Sequence, residues 1–354
     1  MTEQIISKVT GNLGHITLNR PKALNALTQP MVDELTRLLL KWESDEAIGA
    51  VLIDGAGDRA FCAGGDVILL HDSGKAGDER AEHFWRTEYA LNDLIYRYSK
   101  PYITLIDGFV MGGGVGLSIH GQYRIAGDDT IFAMPETGIG YFPDVGGTYF
   151  LPRLGLDVGQ WLGLTGARLK TAEALEIGVA NGYIPSGSHA AFTGALGAAR
   201  LNGSDEAVAA VMANYLKPGP MDADMPAALT AFNEKNVPSI LRALDGMKGE
   251  WAAKQAKSIR AKSPLALSVT FEAIKRGAGL DFRAAMAQEL ELSLNFLKTQ
   301  DFYEGIRAQL IDKDRNPKWS HDSLDSVTTE QVERVFKPVA NPAQQFHEDN
   351  LRAL

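Results

Sequence analysis

The sequence predicts an α/β fold with a helical C-terminal region, and three observations carry that reading. Apolar runs of strand character at 15–18, 50–53 and 102–106 alternate with stretches of helical period at 29–42 and 81–98. The later two runs each end at Asp-Gly, Asp54-Gly55 and Asp107-Gly108, about fifty residues apart. Beyond Gly155 the chain turns to Ala and Leu at helical spacing. Alternation of this kind stacks β and α units around one core, where a meander would string strands together. The spacing hints at repeated units, although the sequences between them differ too much to name a repeat.

Each later element follows from local chemistry. The run 102–106 is apolar enough for a buried strand, and Gly112, Gly113 and Gly114 then free backbone N–H groups at the mouth of a helix. Such donors stabilise an oxyanion or a phosphate. The same triplet also fits a helix start packed tightly against a strand. A dinucleotide loop is a poor match, because Leu117 stands where a third glycine belongs. Glu136 follows Pro135 and Asp144 follows Pro143, so a stiff turn places each acid, a layout suited to acid/base or nucleophilic work on a carbonyl. For Asp144 a plain turn residue is the competing reading. From 155 to 184 the pattern reads as helix with Gly182 near its stop, and 187–220 reads as looser helices and connections. The stretches 262–275 and 282–296 are strongly helical, 301–312 continues that way, and the polar tail after Val339 is expected to pack loosely.

Composition narrows the function classes. With 354 residues, 45% apolar and 22% charged, the chain can bury the core of one large domain or two smaller ones. Cys62 is the only cysteine, which excludes an intrachain disulfide and a cysteine-based zinc site. No His, Cys or carboxylate spacing points to a metal, and none is expected. The N-terminal stretch lacks the basic flank and apolar core of a secretory signal, and no run approaches the roughly 18 apolar residues of a membrane span. A cytoplasmic protein, neither secreted nor membrane-spanning, is expected. The net charge of −9 argues against nucleic acid as the main partner. It leaves room for a small anionic ligand, although Arg20, Lys22, Arg153, Lys313, Arg315 and Lys318 each read first as solvated surface charge.

Five stretches carry a family resemblance. They are Asn19 through Ala26, Phe61 through Asp66, the glycine triplet, Pro135-Glu136-Thr137, and the segment DFYEGIRAQLIDK that begins at Asp301. Together they resemble the enoyl-CoA hydratase/isomerase (crotonase) superfamily over roughly the whole chain, with 202–248 the weakest part. Within it, MGGGVGLSIHGQYRIA and MPETGIGYFPDVGGTYFLPRL resemble the 3-hydroxyisobutyryl-CoA hydrolase branch. The resemblance implies a spiral of ββα units. Residues 1–200 would form the acyl-CoA-binding core, and 201–354 a helical region for oligomerisation and cleft closure. The implied substrate is an acyl-CoA, with coenzyme A part of the substrate and no separate cofactor. A homo-oligomer is a further implication.

Carried over by motif, the thioester oxygen would be gripped by the N–H groups of Gly65 and Gly113, and Ala23, Ala63 and Gly65 would lie along CoA. Fixed donors of this kind lower such a barrier by about 3 kcal/mol each. Hydratases of the superfamily use two glutamates around one water. Glu136 matches the second, while the first falls on Gly116, which has no side chain. Asp144 stands where hydratases commonly have glycine. The catalytic pair is therefore Glu136, as the principal carboxylate, with Asp144 as its partner. Glu136 either attacks the thioester or, with Asp144, activates water. Glu88 matches a further substrate contact of the hydrolase branch, against the plainer reading of a surface helix acid. Cys62 reads as small buried filler and His120 as a packed core histidine. Hydrolysis of a short branched 3-hydroxyacyl-CoA leads. An enoyl-CoA hydratase or isomerase, and a non-catalytic acyl-CoA-binding module, are the alternatives.

Overall fold

The computed structural model describes residues 3–220 and 227–338. Residues 221–224, which carry no pattern, and the tail after Val339, expected to pack loosely, lie outside the described residues. Two sheets organise the fold. The first runs β1-β2-β3-β5-β7-β10, made of Ile5–Thr10, Leu13–Leu18, Ala50–Gly55, Tyr102–Ile106, Tyr123–Ala126 and Gly182–Tyr183. Only its β1–β2 hairpin is antiparallel. The second runs β4-β6-β8-β9, made of Ala60–Cys62, Phe109–Met111, Ile131–Ala133 and Leu169–Lys170, with β9 antiparallel to β8.

The pairs β3–β4, β5–β6 and β7–β8 each place one strand in each sheet and then give way to helix, so the chain climbs as a spiral of ββα turns. Each Asp-Gly marks a corner between the sheets. Gly108 has φ +71°, and a Cβ there would lie 2.5 Å from the Arg59 carbonyl oxygen, so only glycine lets the strand turn so sharply. The repeat hinted at by the spacing is this staircase, whose turns share geometry and little sequence.

Both faces of the first sheet are covered, which explains the unbroken apolar run 102–106. Val51, Ile53 and Ile106 join the main core, while Leu52, Ile103 and Leu105 meet Phe192, Leu196 and Val208 of α8 (His189–Ala198) and α9 (Asp205–Met212). The main core also takes in α1 (Gln29–Ser44), α2 (Val67–Ala76), α3 (Arg80–Tyr96) and α4 (Gly113–Ser118), the last led by the glycine triplet. Next in the chain come α5 (Gly147–Phe150), α6 (Leu156–Thr165) and α7 (Thr171–Glu176). The helical reading of 155–184 misses two breaks: Gly166 at φ +61° caps α6, and Gly182 lies inside β10, paired with Ile125.

The C-terminal helices are α10 (Val237–Gly246), α11 (Glu250–Arg260), α12 (Pro264–Gly277), α13 (Phe282–Phe296), α14 (Gln300–Ile306) and α15 (Thr329–Val335). A π-helical turn, Arg307–Ile311, extends α14. Ser263 and Asp281 cap α12 and α13 through the N–H groups of Ala266 and Ala284, at 3.0 and 2.8 Å. These helices share one core with the N-terminal strands, from Ile5 to Val335. No helix among the described residues is long and apolar enough to cross a membrane.

Candidate active site

A cavity of about 480 Å³ opens between α3, the start of α4 and the C-terminal helices. Gly65, Glu88, Gly113, Glu136, Asp144 and Ala63 all line it. Ala23 does not: it is exposed at the end of a short turn, Pro21–Ala23, although the next residue, Leu24, accepts a hydrogen bond from the Ala63 N–H at 3.0 Å.

Close backbone packing brings the two glycine segments together. The Leu27 N–H holds the Gly64 carbonyl at 2.9 Å, and Asp66 caps α2. Gly112, at φ +47°, turns the chain into α4, whose first residue is Gly113; the first N–H groups of a helix have no intrahelical acceptor. A Cβ at Gly114 would sit 2.1 Å from the Cys62 carbonyl oxygen, and one at Gly113 would sit 3.2 Å from that of Gly64. Glycine is what allows the first turn of α4 to lie on the Cys62–Gly64 loop. The tight packing expected of the triplet is present, and the same packing sets Gly65 and Gly113 on one cavity.

Three carboxyl groups surround these glycines. Glu88 Oε1 lies 2.8 Å from the Cβ position at Gly113, and Glu136 Oε1 lies 3.4 Å from that at Gly112. Glu88 is no surface acid: it is 3% exposed, and its Oε1, like Glu136 Oε2, is buried without a hydrogen-bond partner. Asp144 is better supplied. Its Oδ2 accepts from the Tyr89 hydroxyl at 2.8 Å and faces that of Tyr141 at 3.4 Å. Burial, reinforced by the charge of Asp144, pushes Glu88 and Glu136 well above the usual carboxylate range. Burial also raises Asp144, but the tyrosine hydroxyls restrain it to about 6. The hydroxyl donors that hold Asp144 down have no counterpart at Glu88 Oε1 or Glu136 Oε2. Lys262, on the same wall, is lowered to about 8 by burial, with the Glu136 charge pulling the other way.

The turn carrying Asp144 is anchored from two sides. Val145 sits at φ +51°, an unusual backbone for a branched residue. His120 Nε2 lies 2.7 Å from the Val145 carbonyl and donates to it. The ring packs against Phe282 and is lowered to about 4 by burial, so it is a neutral core histidine. Glu289 of α13 accepts from the N–H groups of Gly146 and Thr148 and from the Thr148 hydroxyl, at 2.7, 2.8 and 2.7 Å. An amide in place of Glu289 turns one acceptor oxygen into a donor. Glu289→Gln is accordingly expected to lower stability by about 1.5–3 kcal/mol, read from urea unfolding followed by circular dichroism.

Cys62 is buried, its thiol donates to the Gly64 carbonyl at 3.4 Å, and burial pushes it up to about 12. Such a thiol is inert. Cys62→Ser is expected to leave turnover within about threefold of the parent protein, measured under saturating substrate. Two of the cations expected to be solvated instead tie the backbone: Arg20 donates to the Ala26 carbonyl, and Arg153 to that of Leu280 at 2.7 Å. Lys262, Tyr89, Tyr141, Ser293 and Glu289 escape sequence reasoning. Two of them had a positional cue, Tyr141 three residues before Asp144 and Tyr89 directly after Glu88.

Comparisons with known proteins agree with this geometry. The family model for enoyl-CoA hydratase/isomerase matches residues 13–336. Among curated relatives, mitochondrial 3-hydroxyisobutyryl-CoA hydrolase of Danio rerio is 42% identical over 341 residues, spanning 94% of this chain and 89% of the relative. That of Homo sapiens is 40% identical over 352 residues, spanning 97% and 91%. A solved carnitinyl-CoA dehydratase from Mycobacterium thermoresistibile superposes with a TM-score of 0.89 at 41% identity, over 96% of this chain and 97% of that one. An enoyl-CoA hydratase from Rhodobacter sphaeroides gives 0.84 at 37%, over 97% and 99%. The chain belongs to the enoyl-CoA hydratase/isomerase (crotonase) superfamily and, within it, to the 3-hydroxyisobutyryl-CoA hydrolase branch.

Proposed function

We propose that the protein hydrolyses a short branched 3-hydroxyacyl-CoA, with 3-hydroxyisobutyryl-CoA of valine breakdown as the leading substrate. The observation that carries this reading is one cavity lined by Gly65, Gly113, Glu136 and Asp144, while position 116 offers no carboxylate. The two glycine N–H groups take the thioester oxygen as it gains charge. Glu136 attacks the thioester carbon directly or, with Asp144, directs water to it. Glu88 accepts a hydrogen bond from the substrate hydroxyl, and Ala23 and Ala63 flank CoA. No separate cofactor takes part.

Two solved relatives carry dehydratase and hydratase names. Against that activity here stands Gly116, over which Asn92 and Val145 close: a Cβ at 116 would lie 2.8 Å from Asn92 Nδ2 and from Val145 Cβ. A cytoplasmic location, favoured by the lone buried cysteine, belongs to this proposal, whereas the curated relatives are mitochondrial by name. Assembly into a homo-oligomer through the C-terminal helices is part of the same proposal. The deciding experiment is thiol release from a panel of acyl-CoAs without added metal or nucleotide. Free CoA is expected from 3-hydroxyisobutyryl-CoA or 3-hydroxypropionyl-CoA. No release from either, with hydration of crotonyl-CoA instead, would overturn the reading.

A further inference from the structure

Four short contacts tie Asp144 to α13 through hydroxyl groups. Tyr89 Oη lies 2.8 Å from Asp144 Oδ2 and 2.8 Å from Ser293 Oγ, Tyr141 Oη lies 2.5 Å from Ser293 Oγ, and Ser293 Oγ lies 2.7 Å from the Glu289 carbonyl oxygen. Each such contact needs one proton. The three hydroxyls carry three. With Asp144 ionised and Ser293 donating to the Glu289 carbonyl, Tyr89 donates to the carboxylate, and its contact with Ser293 is left without a proton. With Asp144 protonated the account closes: Asp144 donates to Tyr89, Tyr89 and Tyr141 donate to Ser293, and Ser293 donates to the Glu289 carbonyl. A serine oxygen accepts two bonds and a phenol one, so no atom exceeds its capacity.

We propose that Tyr89 is a positioning residue whose hydroxyl turns between Asp144 and Ser293 as Asp144 loses and gains a proton during thioester cleavage. The inference rests on the hydrolase reading above. If water attacks directly, its oxygen bonds to the thioester carbon and its proton passes to Asp144. The C–S bond then breaks, sulfur leaves with the electron pair, and that sulfur takes the proton back from Asp144. If an anhydride forms on Glu136, the Glu136 oxygen bonds to the thioester carbon, the C–S bond breaks, and sulfur leaves with the electron pair and takes a proton from solvent; Asp144 takes up its proton afterwards, when water opens the anhydride. The acyl carbon then parts from the Glu136 oxygen, which keeps the electron pair, and Asp144 passes its proton to solvent. Either way Asp144 must hold a proton briefly, and the Tyr89 swing keeps both of its states hydrogen-bonded.

The titratable groups around Asp144 come from several elements. Tyr89 and Glu88 belong to α3, Glu136 and Tyr141 to the turn before Asp144, and Glu289 to α13; His120 follows α4, and Lys262 precedes α12. The Asp144 charge raises Glu88, Glu136 and Glu289, while burial opposes the ionisation of Asp144 itself and the two tyrosine hydroxyls favour it. His120 acts on the backbone of Val145, and Lys262 faces Glu136.

Infrared difference titration of the unliganded protein reads the test directly, the Asp144 carboxyl band being the one lost in Asp144→Asn. Tyr89→Phe removes the nearest donor to the charged form, and charge-assisted bonds are the stronger kind, so the Asp144 titration is expected to rise by about one pH unit. Ser293→Ala removes the acceptor that Tyr89 needs when Asp144 is protonated, so the titration is expected to fall. The acid limb of kcat/KM for thiol release is expected to move the same way in each variant. Both variants titrating like the parent, or both shifting in one direction, would overturn the switch. A parent protein that released no CoA would instead sink the hydrolase reading, and the infrared titration would still decide how Tyr89 behaves.

Discussion

Glu136→Gln is expected to reduce thiol-release kcat by at least about a hundredfold while leaving the circular dichroism spectrum and unfolding midpoint close to those of the parent. The substitution keeps the shape of the side chain and removes what it can do. An amide neither attacks a thioester carbon nor takes a proton from water. Folding is expected to tolerate the change, because Glu136 Oε2 has no partner to lose and the carboxyl is already pushed toward its neutral form by burial. KM is expected to change little, since glutamine keeps the size and shape of the side chain that meets the acyl group. A glutamine protein retaining more than a tenth of parental kcat would remove Glu136 from the chemistry.

The second large effect concerns Gly116, where the family resemblance places the first hydratase glutamate. Gly116→Glu is expected to destabilise the protein by at least about 1–3 kcal/mol and to confer no measurable water addition to crotonyl-CoA. Its first side-chain atom already collides with Asn92 Nδ2 and Val145 Cβ, both at 2.8 Å, and Val145 is held in place by His120. Asn92 is itself buried, so it has no solvent to move into as the new side chain arrives. Combining it with Asp144→Gly opens no route to hydration, because the obstruction lies at Asn92 and Val145. Asp144→Gly alone is expected to abolish most cleavage. Thermal unfolding and a crotonyl-CoA absorbance assay on the same preparations check both halves, and a stable Gly116→Glu protein that hydrates crotonyl-CoA would refute the steric account.

What the sequence disclosed, it disclosed locally. Tyr102–Ile106 is a strand buried on both faces and reads as one; Gly112, at φ +47°, and the Pro135-Glu136 turn make backbone demands within a few residues, although Gly113 and Gly114 owe theirs to the distant Cys62–Gly64 loop. The hairpin strand β1 left no trace because only Ile5 of its residues is buried, so it shows no alternation to detect. The break between α6 and α7 was hidden because Ala and Leu suit helices on either side of Gly166. Ser293, Glu289 and Lys262 were invisible for a different reason. Ser293 and Glu289 lie on α13 and Lys262 lies between α11 and α12; each gains its importance only by meeting a residue far away in the chain, and helical periodicity assigns no task to a single polar position. Glu88 shows the converse: its sequence neighbourhood reads as an ordinary polar helix, and only the packing of α3 over the glycine loops buries it.

The hydroxyl chain behind Asp144 spans 204 residues between Tyr89 and Ser293, and the Glu289 anchor reaches back 143 residues to Gly146. Contacts so distant in sequence close late, because the loop entropy must be met before the bond can form. During synthesis the ribosome would release the ββα staircase well before α13 emerges, with its glycine loops made and Asp144 not yet braced. Refolding experiments should therefore find enzymatic competence trailing the recovery of secondary structure, and chains stopped ahead of α13 should be silent toward thioesters however well their sheets form.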